Sequence, residues 1–195
     1  LIVTSQIVQP YELDNVDSRY YAVSSVVNRG TFAIDHFKGA TIDASVFDGH
    51  TYSNKGVGSV LVGVPIYWVV RNWTPAGFGP ELNLWEMYWV RLFAATLPFC
   101  LGVAVLCWLI RTRTESNRQA LFWSMAYAFG TICFTQASSF SGHAFSASMM
   151  VFGVWASSLA TREAGAKGDL FVAFVAGGCF GLAAITEYLA MVIAA

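Results

Sequence analysis

Charge is scarce in this chain, and the scarcity is uneven. Only 12% of its 195 residues are Asp, Glu, Lys or Arg, about half the roughly 25% of an ordinary soluble domain. Between Gln119 and Thr161 there are none, and His143 is the one side chain there of the usual acid or base kind. A water-soluble core has no use for such a run. A basic excess is missing too: the formal net charge of -1 argues against nucleic acid as a partner, because a phosphate-binding surface needs surplus Lys and Arg. The four cysteines, Cys100, Cys107, Cys133 and Cys179, form no CxxC pair and lie near no His at ligand spacing, so they read as small buried hydrophobes. No cofactor and no metal ligand set is expected from this pattern.

What is present is apolar: 56% of the side chains are hydrophobic. The run from Leu92 to Ile110 is uncharged and ends in Arg111, Arg113 and Arg118. A hydrocarbon layer ~30 Å thick needs ~20 such residues per crossing. The expected fold is an all-α integral membrane protein, a multi-pass helical bundle with a large first extracytoplasmic loop. Its transmembrane helices are expected at about 90-110, 120-137, 144-160 and 170-195 within residues 87-195. The loop, residues 10-86, carries juxtamembrane helices at about 16-29 and 57-70, and residues 1-9 read as the end of a first transmembrane segment. Leu1 to Gln9 is too short and polar for a complete signal peptide or span. The sequence starts at Leu1 and stops inside an apolar run at Ala195, which suggests a portion of a longer membrane protein.

Orientation follows from the basic residues. Placing Arg111, Arg113, Arg118, Arg162 and Lys167 on the cytoplasmic side obeys the positive-inside rule, and it puts residues 10-86 and the 138-143 turn outside. The stretch from Val57 to Val70, with Pro65 in it, is too short to cross and is expected at the surface or re-entrant. Trp68, Trp73, Tyr88 and Trp89 fit an interfacial aromatic belt.

Inside the outer loop, Val16, Tyr20, Val23 and Val27 fall on one helical face. Asp14 or Asn15 can cap its start and Gly30 stops it. Asp17 then sits in the first turn, where the helix dipole favours a carboxylate. Asp48-Gly49 between Ala44-Ser45-Val46-Phe47 and His50-Thr51-Tyr52-Ser53 is a hairpin turn signal. The hairpin delivers Lys55 to the foot of the 57-70 segment, either as a snorkelling anchor or as a fixed cation for a phosphorylated lipid. Glu187 in the last apolar segment is a costly carboxylate that should face a cavity or a partner.

The ordered set Asp17-Ser18-Arg19-Tyr20-Tyr21, then Asp48-Gly49-His50-Thr51-Tyr52-Ser53-Asn54-Lys55-Gly56, then an arginine-terminated span resembles the start of the C-type (GT-C) membrane glycosyltransferases. The groups it is most similar to are the protein O-mannosyltransferase and aminoarabinose transferase relatives. The resemblance implies an inverting transfer from a polyprenyl-phosphate sugar donor to a cell-envelope glycan, lipid or protein acceptor at the outer face of a prokaryotic plasma membrane. It further implies Asp17 as the catalytic carboxylate, with Arg19, Tyr20, Tyr52 and Lys55 at the donor and its lipid phosphate. Asp48, His143 and Glu187 are further candidates. Three departures stand out. The acidic pair is reduced, with Val16 or Ser18 where a second carboxylate would stand, which counts against a paired-acid mechanism or an acid-held metal. Gly56 and Val57 replace the prolines that usually follow the lysine, and Thr186-Glu187-Tyr188 stands where many relatives carry Thr-Lys-Gly. Membrane lipids are the other expected partners. The competing classes are a multi-pass transporter using Glu187 and His143, and a non-catalytic membrane scaffold. A transporter is expected to keep its charges at mid-membrane.

Overall fold

The computed structural model describes residues 14–74, 81–163, 166–188 and 190. The expected segment end at 1-9 and residues 191–195 lie outside them. The described part is mostly helical with one small two-stranded sheet.

Helix α1 (Asp14–Arg29) turns Val16, Tyr20 and Val23 inward, with Val27 packed beside them. Gly30, at φ 68°, closes the last turn by donating its N–H to the Val26 carbonyl, a conformation that costs glycine little. A short 3-10 turn (Asp35–Phe37) follows. Its Phe37 stacks on Tyr21 at 4.3 Å. Strands β1 (Ala44–Phe47) and β2 (His50–Ser53) pair antiparallel with Ala44 opposite Ser53 and Phe47 opposite His50. Asp48 and Gly49 both have positive φ, as a two-residue type I′ connection requires. Asp35 ties the turn to β2, accepting from the Thr51 N–H at 2.7 Å and meeting His50 Nδ1 at 2.7 Å.

Helix α2 (Val57–Trp73) runs three residues beyond the expected 57-70 and keeps Pro65 inside. It buries Val60, Gly63 and Tyr67 against α1, and its other face exposes Leu61, Trp68, Val69 and Trp73. Helix α3 (Leu84–Arg91) starts with a reciprocal capping box between Asn83 and Glu86. A π-helical stretch, Leu92–Thr96, joins it to α4 (Leu97–Thr114). Pro98 lacks an N–H and would crowd the carbonyl of Ala94 in a regular α-helix. The wider turn, with Leu97 N–H donating to Leu92, falls just before it.

The span expected at 120-137 is two helices, α5 (Asn117–Gly130) and α6 (Cys133–Ala137). The break lies at Thr131, whose hydroxyl donates to the Tyr127 carbonyl and accepts the Cys133 N–H, a local bond that competes with the helix ladder. Helices α7 (Gly142–Glu163) and α8 (Ala166–Thr186) complete the bundle. The segment expected to run from 170 to 195 therefore leaves its helix at Thr186. There the Glu187 carboxylate meets Arg19 of α1. One helix among the described residues, Leu84–Thr114, is long and apolar enough to cross a membrane; Leu170–Thr186 is apolar but shorter.

Two cores stack end to end. The upper one joins α1, α2, α3 and Phe140 through Tyr20, Val23, Ile34, Val60, Tyr67 and Val90; the lower one centres on Phe99, Ala137 and Ala144. The α6–α7 turn belongs to the α1–α2 end, whereas Arg111, Arg113 and Arg118 sit at the α4–α5 turn, at the opposite end of α4.

Candidate functional site

The end of α8 meets the start of α7, the start of α2 and the inner side of α1. Glu187 Oε1 lies 3.1 Å from Arg19 Nη2 and 3.3 Å from His143 Nδ1. The Arg19 side chain is 3% exposed and that of His143 58%. Arg19 also donates from Nη1 to the Asn15 carbonyl at 2.9 Å. Burial draws the Arg19 guanidinium below its usual range, and the carboxylates of Glu187 and Asp43 oppose that shift. A buried arginine without a counter-charge costs several kcal/mol, so Glu187 is the group that makes this position tenable.

Three glycines make room for this meeting. A Cβ at Gly142 would run into Glu187 Oε1 and come within 3.0 Å of Arg19 Nη2. One at Gly56 would strike the Thr186 carbonyl, and one at Gly58 the Thr186 hydroxyl. The start of α7 is ordered by Ser141, whose hydroxyl accepts the His143 N–H.

On the outer side, Lys55 Nζ rests 3.1 Å from Asp43 Oδ1, and Ser18 and Ser53 share a 3.0 Å hydroxyl contact that joins α1 to β2. Lys55 and Arg19 are thus both engaged by the chain's own carboxylates. Asp17 faces elsewhere. It is two positions from Arg19, and such residues do not share a helix face, whereas Asp14 and Tyr21, at i−3 and i+4, do share its own. Burial, then the nearby Asp14, pushes the Asp17 carboxyl up to about 6. The Tyr21 phenol is raised in turn by burial and by Asp17.

The other expected site residues are placed as follows. Tyr20 is 1% exposed, lies 4.8 Å from Phe140 and gives its hydroxyl to the Met87 carbonyl at 3.0 Å. It is a core residue of α1. Arg19 is likewise turned inward and binds Glu187. Asp48 is exposed at the hairpin tip, where it serves the turn. Glu187 is not within a helix but just past the end of α8. Tyr52 is half-buried on β2 opposite Ser45.

Asp43 was not singled out from the sequence, and Asn15 was read only as a cap candidate for α1, not as a partner of Arg19. Asp43 had only an indirect signal: the Asp48-Gly49 turn fixes a register in which Ala44 opposes Ser53, and continuing it sets Asp43 opposite Asn54, one residue short of Lys55. Asn15 gave none, because its contribution is a backbone carbonyl.

A second set of charges fastens the outer layer. Arg29 makes two bonds to Glu81 at 2.8 and 3.0 Å, and Arg71 meets the fully buried Glu86 at 2.7 Å. Among the described residues no group of three or more His, Cys, Asp or Glu could hold a metal ion. Comparison with known proteins gives no matching family model, no matching curated protein and no matching solved structure.

Proposed function

We propose that this chain belongs to a multi-pass membrane protein of the prokaryotic plasma membrane, a glycosyltransferase that moves a sugar from a polyprenyl-phosphate donor to an envelope glycan, lipid or protein acceptor at the outer face. Support for the membrane comes from an inverted burial pattern. In α4 to α8 the exposed side chains include Leu101, Leu121, Phe122, Trp123, Phe129, Phe171 and Phe174, while Ser124, Ser146, Ser148 and Thr186 are buried. Serines inside and large apolar groups outside suit a hydrocarbon solvent, where small polar residues line helix contacts.

The observation that carries the transfer reading is Asp17: a half-buried carboxyl pushed up to about 6, in the polar layer beside the helix ends. A general base works best with a pKa near the operating pH, and its contribution is typically ~10²- to 10⁴-fold. In this reading Asp17 takes the proton of the acceptor hydroxyl as it attacks the anomeric carbon. Lys55 leaves Asp43 to neutralise the departing lipid phosphate, a preorganised electrostatic contribution of ~3 kcal/mol by analogy with oxyanion donors.

The test is transfer of radiolabelled sugar from polyprenyl-phosphate donors by membranes carrying the full-length protein. Asp17→Asn should abolish transfer and Lys55→Ala should weaken it, at normal protein levels. Unchanged turnover in Asp17→Asn would return Asp17 to a helix-start acid.

A further inference from the structure

We propose that a cleft at the α4–α5 turn holds the zwitterionic headgroup of an ethanolamine phospholipid from the membrane leaflet on that side. The proposal rests on the membrane part of the reading above and uses none of its transfer chemistry.

The cleft has a volume of about 530 Å³ and is lined by Trp108, Arg111, Thr112, Glu115 and Asn117. The first four recur at i, i+3, i+4 and i+7, so they form one face of the last turns of α4. Asn117 opens α5 on the other side. Glu115 shapes the turn: it ends α4 in the left-handed conformation, at φ 54°, and donates its N–H to the Arg111 carbonyl at 2.9 Å. On a continuous helix an arginine and a glutamate four apart are placed to pair. Ion pairs engage Arg19, Arg29, Lys55 and Arg71 elsewhere among the described residues, yet none joins Arg111 to Glu115. Two opposite charges therefore share one cleft without neutralising each other.

The hydrogen-bonding groups divide in the same way. Arg111 and Asn117 can donate. Thr112 gives its hydroxyl proton to the Leu109 carbonyl at 2.9 Å, so any further bond it makes is as an acceptor, like those of the Glu115 carboxylate. A free phosphate or a purely anionic headgroup would use the donors and be repelled by Glu115. A phosphodiester that carries a primary ammonium uses both sets, with its phosphate on Arg111 and its ammonium on Glu115. A quaternary ammonium has no N–H for these acceptors, which separates ethanolamine from choline. The level in the membrane also suits a headgroup. The uncharged run from Leu92 to Ile110 ends one residue before Arg111, and Trp108, 39% exposed, is of the type that sits where acyl chains meet headgroups.

The test places the full-length protein in nanodiscs that carry equal fractions of photoactivatable phosphatidylethanolamine, phosphatidylglycerol or phosphatidylcholine, and reads the label on residues 108–117 by peptide mass spectrometry. The ethanolamine lipid should label this segment several-fold more than the other two. Arg111→Gln should lower that labelling about tenfold, as for the loss of one charge-assisted hydrogen bond. Glu115→Gln should erase the preference for ethanolamine over glycerol. Arg113→Gln removes the same charge from a residue that does not line the cleft, and should leave the labelling unchanged. A preference for phosphatidylglycerol, or equal losses in Arg111→Gln and Arg113→Gln, would reveal general attraction to a basic turn and overturn the proposal. Competition by inorganic phosphate in the buffer would make the cleft a free-anion site and overturn it too. Alkaline carbonate extraction reads the membrane separately: protein retained in the membrane without selective labelling sinks the headgroup site alone, whereas released protein sinks the membrane reading and the site with it.

Discussion

The outer layer, residues 14–74, and the helices from Leu84 to Thr186 carry opposite burial patterns in one chain. In the outer layer Val16, Tyr20, Val23, Ile34 and Val60 are inside, while Asp14, Asp35, Lys38, Asp48 and His50 are exposed. In the helices Phe174 and Phe129 face out and Ser124, Ser146 and Ser148 face in. Apolar area drives the first arrangement by leaving water. The second buries small polar groups instead, as in Ser146 donating to the Ala183 carbonyl at 3.1 Å, the arrangement that the proposed bilayer surroundings favour. The lesson is that Glu187 sits on the seam. It is the carboxylate that links the end of an apolar helix to the buried face of a polar layer.

The comparison breaks first at that seam. Arg19→Met leaves Glu187 facing His143 without its buried partner and should cost ~3 to 5 kcal/mol, read as the loss of folded protein in a detergent thermal melt. The charge-swapped pair Arg19→Glu with Glu187→Arg should recover part of this loss; no recovery would show that shape rather than charge holds the contact. Next in size is a charge on the outward face of α8. Phe174 is 79% exposed, so Phe174→Arg should cost ~2.5 to 3.5 kcal/mol in a bilayer, measured as membrane insertion. The matching change on the hairpin, Phe47→Arg, where Phe47 is 75% exposed, should stay within ~0.5 kcal/mol. Equal, small effects at both sites would mean that α8 faces water.

Smaller again is the steric seat of α8. Gly56→Ala would place a methyl group against the Thr186 carbonyl, and such overpacking should cost ~1 to 3 kcal/mol, seen as a lowered Tm. The smallest effect has the opposite sign. The Asp17 carboxyl is raised from 3.8 to about 6 when folded, so the folded state favours its protonated form. That contribution is full below pH 3.8 and is lost as pH rises through 6. Ionised Asp17 therefore weakens the fold at neutral pH, and Asp17→Asn should stabilise it there by ~1 kcal/mol after allowance for solvent screening. The gap should close between pH 6 and pH 4, as followed by Tm against pH.

Much of the outer layer was legible because its signals are local. Asp48-Gly49 demanded a hairpin, and Val16, Tyr20, Val23 and Val27 demanded a helix face; both elements are present. The helices α4 and α7 were legible from charge alone, since Leu92 to Ile110 and Ala144 to Ala160 carry none. The break at Thr131 and the end of α8 at Thr186 were not. The first depends on one hydroxyl choosing a backbone partner, and the second on a carboxylate meeting groups that lie far away in sequence. The site was half legible for the same reason. Asp17, Lys55, His143 and Glu187 stand out by type, but composition cannot say that Arg19 turns inward or that Asp43 engages Lys55.

The sequence by itself determined which segments are apolar, where the chain turns and which few ionisable groups exist, because propensity, hydropathy and turn chemistry act over a handful of neighbours. Only the tertiary structure decided that Glu187 joins Arg19 and His143, and that Asp17 looks away from them. Those facts depend on helix rotation and on the close approaches at Gly56, Gly58 and Gly142, which arise only when α8 is seated against α2 and α7.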